Sequence, residues 1–174
     1  MSLAIIFLIL YVILFACLEQ FASVERKLFG RIATVFAIMS ATIIVSCYFV
    51  QISVIQPSLI NGETAGIALL TQYNPHGVFV ALEEIGYIFM SISFLFAGLI
   101  FSNKSRLENV IRWVFILGFI FTLAAFTLIV ISLGLHREYI FEVAAITITW
   151  PALMINGALF AFFLRQPMRE AIKG

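Results

Sequence analysis

Five apolar runs of membrane-crossing length constrain this chain more than any other feature. They lie near residues 2–18, 32–54, 75–101, 110–134 and 139–164. A helix needs ~17–25 predominantly apolar residues to cross the hydrocarbon core of a bilayer, and the first run sits at the lower end of that range. The expected fold class is therefore all-α: a polytopic integral membrane bundle of five transmembrane helices, forming one domain over residues 1–174. Composition agrees, because only 11% of residues are charged, where a soluble domain carries ~25%. The start, Met1-Ser-Leu-Ala-Ile-Ile, has no basic region and reads as a retained first span.

Basic residues predict an orientation. Arg26, Lys27 and Arg31 fall between the first two spans, and Lys104, Arg106 and Arg112 between the third and fourth. Arg165, Arg169 and Lys173 follow the fifth, and the opposite side carries Arg137 alone. Nine against one places the N-terminus outside and the C-terminus in the cytoplasm of a multi-pass cell-membrane protein. Ser105-Arg-Leu-Glu108 reads as a capping box opening the fourth span. Asn74-Pro75 reads as an N-cap followed by a proline at the first helical position, which starts the third. Trp113 on the inside, with Tyr73 and Tyr139 on the outside, fits an aromatic belt. Cys17 and Cys47 fall in opposite leaflets, too far apart for a disulfide, and read as packing residues.

Residues 55–74 form the long outer connector. Pro57 and Asn61-Gly62 mark turns. The stretch from Glu63 to Gln72 has helical spacing but cannot span, so it reads as a short interfacial or re-entrant helix.

Ionisable residues at bilayer depth cost ~2.5–3.5 kcal/mol on insertion scales and commonly mark function. Glu83 and Glu84 lie together inside the third span, with Glu83 ~7–8 Å from the midplane at 1.5 Å per residue. Helical spacing puts His76, Val80, Glu83, Tyr87 and Ser91 on one face, with Glu84 at its edge. Adjacent side chains diverge by ~100°, so the two carboxylates face different neighbours, or one lines a cavity that the other supports. The fifth span offers a counterpart face of Glu142, Ala145, Thr149, Leu153, Asn156 and Gly157. Pro151 interrupts that helix, predicting a kink and a free carbonyl at Thr147. Both histidines and five of the nine glutamates fall in the outer half. The pocket candidates are thus Glu83, Glu84, His76, Tyr87, Glu142, Thr149 and Asn156.

Each element also has an ordinary structural explanation. The glutamates can bond a Ser, Thr or Tyr of a neighbouring helix, or pair with Arg137. His76 and Glu142 can simply be solvated, and Gly86, Ser93 and Ala97 read as a close-packing face.

Three functions fit this pattern. The first is a binding or transport protein, or an accessory membrane subunit, in which Glu83 and Glu84 handle protons or cations in an outward-facing pocket. A carboxylate withdrawn from water retains a proton more readily, which suits proton coupling. Five spans favour a homo-oligomer or a larger membrane complex, with the bilayer and a small ligand or ion as the other partners. The second is a hydrolase-like metal enzyme using His76, Glu83, Glu84, His136 and Glu142. These are metal-ligand types, but they match no metal-site spacing, so no cofactor is expected beyond this weak metal reading through His76 and His136. The third is a purely structural subunit. A non-enzyme is the favoured reading. The chain has no Asp and no lysine within a span, no Walker or dinucleotide motif and no CxxCH. Nucleic acid is not an expected partner.

Overall fold

A computed structural model describes residues 1–102 and 104–173, with all their side chains except those of residue 135 and residues 166–173. The side chains of Arg169 and Lys173, used above to orient the chain, lie outside that description. Helices dominate. They are α1 (Ser2–Phe21), α2 (Lys27–Val50), α3 (Gln56–Ile60), α4 (Ile67–Leu70), α5 (Val78–Ile100), α6 (Arg106–Leu133) and α7 (Ile140–Lys173). Five helical stretches are long and apolar enough to cross a membrane.

Several boundaries differ from those read off the sequence. The first span extends to Phe21, one turn beyond residue 18. The second begins at Lys27, so Arg31 lies inside the helix. It continues past residue 54 through a π turn at Gln51–Ile55 and then α3. Pro57 makes no turn: it lies just after the π turn, and the helix continues through it. The bend comes at Asn61-Gly62, with Gly62 at φ 74°. Of the stretch Glu63 to Gln72, only the four residues of α4 are helical.

The third span begins at Val78, three residues after Pro75, with Gly77 as its N-cap. Asn74 caps a local turn instead: its Oδ1 accepts the His76 N–H at 3.0 Å, and its amide donates to the Ala68 carbonyl at 2.7 Å. An Asn side chain that bonds the backbone two residues on competes with helix initiation. In α6 the Ser105 hydroxyl accepts the Glu108 N–H at 3.1 Å, as the capping box predicts. The Glu108 carboxylate accepts from the Lys104 N–H, not from that of Ser105. The helix of the fifth span runs on through Pro151 without a break and extends past residue 164.

The central helix is α5, which packs on α2, α6 and α7. Of its apolar stretch 56% is buried, against 17% of that of α6, whose remaining surface is apolar and exposed. Lipid tails are as apolar as leucine, so helices in lipid associate through close packing and hydrogen bonds. The α2–α5 contact shows both. A Cβ built on Gly86 would lie 2.5 Å from Ile44 Cγ1, so a side chain there would push the two helices apart. Beside it, the Ser40 hydroxyl donates to the Gly86 carbonyl at 2.7 Å. At the end of α5 the Arg26 guanidinium donates to the carbonyls of Leu99 and Phe101 at 2.8 and 2.7 Å. These contacts hold α5 in register, so its two glutamates stay at one depth and face set neighbours.

Candidate functional site

The glutamate pair sits less than two turns into α5, near the end of the bundle that carries the connector. Both side chains are buried, at 6% and 7% exposure. The ~100° between successive helical residues sends them to different partners. Glu83 faces α2, where the Tyr48 hydroxyl donates to its Oε1 at 2.6 Å. Glu84 meets the α6–α7 loop, where Arg137 Nε and Nη2 each donate to one carboxylate oxygen at 2.7 Å. Two parallel charge-assisted bonds make this a bidentate clamp between α5 and the loop. Both interactions are among the ordinary explanations considered for the pair. Tyr48 is the residue that sequence reasoning missed, although a tyrosine hydroxyl at bilayer depth in the second span needs a partner.

The facing wall is α7. Glu142 is 4% exposed, and neither carboxylate oxygen has a hydrogen-bond partner among the described residues. It lies within electrostatic reach of Glu84, Glu83 and Arg137. Tyr87 is fully buried, with its hydroxyl 3.4 Å from that of Tyr48 and beside the Trp150 indole. That indole N–H closes no hydrogen bond, and neither does the amide of the fully buried Asn156. Thr149 differs: its hydroxyl donates to the Ala145 carbonyl of its own helix at 2.8 Å. Glu142, Trp150 and Asn156 are thus three unpartnered polar groups spread over ~21 Å of one helix, at 1.5 Å per residue. The other described side chain with such an atom is Arg112.

Above the clamp is a cavity of about 200 Å³ lined by Pro75, His76, Gly77, Val80, Ala81, Glu84, Arg137 and Glu138. Glu138 holds a left-handed backbone at φ 44°, which costs a non-glycine residue ~1–3 kcal/mol and recurs at functional sites. Burial, then the charges of Glu138 and Glu142, raise the pKa of the neighbouring Tyr139 hydroxyl. The connector is tied down nearby: the Gln51 amide donates to the Leu70 carbonyl at 2.6 Å, and its oxygen accepts the Gln72 N–H at 3.0 Å.

The structure therefore gathers Glu83, Glu84, Tyr87 and Glu142, and sets His76 at the rim of the cavity above them. Asn156 lies further down α7. His76 and His136 are both exposed. Among the described residues no three His, Cys or Glu side chains come together as a metal site, so the five-residue metal set read from the sequence is not assembled. Cys17 and Cys47 are free thiols.

The chain matches no family model, no curated protein and no solved structure.

Proposed function

We propose that this is a small multi-pass cell-membrane protein that takes up protons from outside at Glu142 and Glu83, as a binding or transport protein. The reading adopts the orientation that places the connector outside. The observation that carries it is the mismatch of buried charge. Three carboxylates, Glu83, Glu84 and Glu142, are buried near one another, and the nearby guanidinium of Arg137 is committed to Glu84. Glu83 has the Tyr48 hydroxyl, and Glu142 has no partner. An unpaired carboxylate in low dielectric is costly, and binding a proton removes its charge.

A proton fits this arrangement better than a metal cation. A proton needs one carboxylate oxygen, whereas a metal ion needs several ligands converging on a point. Glu84 then changes role from the sequence reading: with Arg137 it closes the outer end of the cluster. Assembly into a homo-oligomer or a larger complex belongs to the same proposal, because five spans are few to enclose a path.

The test is proton uptake by protein reconstituted into vesicles that contain a pH-sensitive dye. Wild-type protein should bind or pass protons, while Glu142→Gln should abolish the signal and Glu83→Gln should reduce it sharply. Wild-type behaviour in Glu142→Gln would overturn the reading. If both variants changed only assembly, a structural subunit would be the better account.

A further inference from the structure

The cavity above the clamp carries charge of both signs. Its cation is Arg137, which is one-third exposed. Glu84 occupies the Nε and Nη2 positions on one edge of the guanidinium. Arginine has five N–H donors in a fixed fork, so the Nη1 edge is left to receive a second carboxylate without displacing the first. Nη1 makes no hydrogen bond to another described side chain. The adjoining wall is the first turn of the 23-residue helix α5, whose N-cap Gly77 supplies no side-chain cap. Uncapped N–H groups and the helix dipole favour negative charge there. The opposite sign comes from Glu138, whose exposed side chain lines the same cavity. Gly77 itself packs against the connector, where a Cβ would lie 2.9 Å from the Leu69 carbonyl oxygen.

We propose that this cavity binds a small zwitterion, its carboxylate on the free edge of Arg137 and its ammonium on Glu138. A volume of about 200 Å³ is below the ~300–1,000 Å³ of drug-sized pockets, so the ligand is the size of the smallest amino acids. A simple anion satisfies Arg137 and leaves Glu138 without a partner. A simple cation pairs with Glu138 and leaves the free edge of Arg137 unused. The zwitterion meets both and adds no net charge to the cavity.

The experiment is calorimetry on purified protein in nanodiscs, with glycine, acetate, methylammonium and tryptophan as probes. Glycine should bind saturably, acetate and methylammonium each at least about tenfold more weakly, ~1.4 kcal/mol, and tryptophan should be excluded by size. Glu138→Gln should weaken glycine about tenfold and leave acetate unchanged. Arg137→Lys, which keeps the charge but not the fork, should weaken both. If that variant fails to fold, Glu138→Gln decides alone, because its side chain is exposed. Acetate binding as tightly as glycine would show an anion site only and overturn the proposal, and so would the absence of saturable glycine binding. The assay is run at fixed pH without flux, so its failure leaves the proton reading standing. An inactive proton assay, equally, leaves this one standing.

Discussion

The two ends of the bundle bury different kinds of polar group. Toward the end with most of the basic residues, the core is aromatic and its polar groups are largely paired. Phe15, Phe94 and Phe115 meet with ring centroids 5.5–6.2 Å apart, and Tyr11 packs edge-on to Phe15 at 4.7 Å. The Tyr11 hydroxyl bonds Ser93 at 2.5 Å, Ser93 donates to the Met90 carbonyl at 2.6 Å, and Arg26 covers the last carbonyls of α5. Arg112 Nε and the amide of the fully buried Asn156 are the exceptions. Toward the connector end carboxylates gather, and the buried Glu142 carboxylate and the Trp150 indole N–H have no hydrogen-bond partner. Helices in lipid cohere through packing and completed hydrogen bonds. The first end coheres mainly through aromatic packing, while the second concentrates three carboxylates, of which Glu142 has no partner.

Substitutions at the two ends should therefore separate stability from function. The largest effect on stability is expected for Phe94→Ala, which empties the aromatic junction and should cost about 3–5 kcal/mol. Read as a lower unfolding midpoint in detergent, it should leave the pH dependence of proton uptake in the surviving folded protein unchanged. A shift in that pH dependence would break the division into two ends.

Arg137→Ala comes next. Removing one partner of a fully buried ion pair costs ~3–5 kcal/mol, and the partial exposure of Arg137 should bring this to about 2 kcal/mol. Adding Glu84→Gln should restore part of the loss, because the carboxylate left without a counter-charge is then neutral. No recovery in the double variant would mean that the clamp acts through packing alone.

Tyr48→Phe should cost about 1 kcal/mol, in keeping with measured interhelical hydrogen bonds, and should alter proton uptake through Glu83. The smallest effect on stability belongs to Glu142→Gln, which should be neutral within about 1 kcal/mol or mildly stabilising, because it replaces an unpartnered carboxyl group with an amide of the same shape. It should nevertheless have the largest effect on function. A drop of several kcal/mol in its stability would show that Glu142 is a cohesive group and would erase the contrast between the ends.

Much of this architecture was legible from the residues. Apolar run length set the number of spanning helices, and depth in the third run singled out Glu83 and Glu84. The ~100° helical step anticipated that they would face different neighbours, as Tyr48 and Arg137 turn out to be. Boundaries were harder to read. Asn74-Pro75 has the chemistry of a helix start, but the Asn74 side chain found a local turn first. Pro57 has the chemistry of a turn, but it follows a π turn in a helix that continues through it.

The glutamate partners depend on distant contacts, 35 residues away for Tyr48 and 53 for Arg137, and local spacing does not reach that far. By itself the sequence determined a five-helix bundle with ionisable groups buried near one end, because hydropathy and helical period are local properties. Only the tertiary structure decided that Glu84 is neutralised by Arg137 and held in place while Glu142, not its neighbour, is left unpaired. Pairing of buried charge is settled by which helices touch and at what depth.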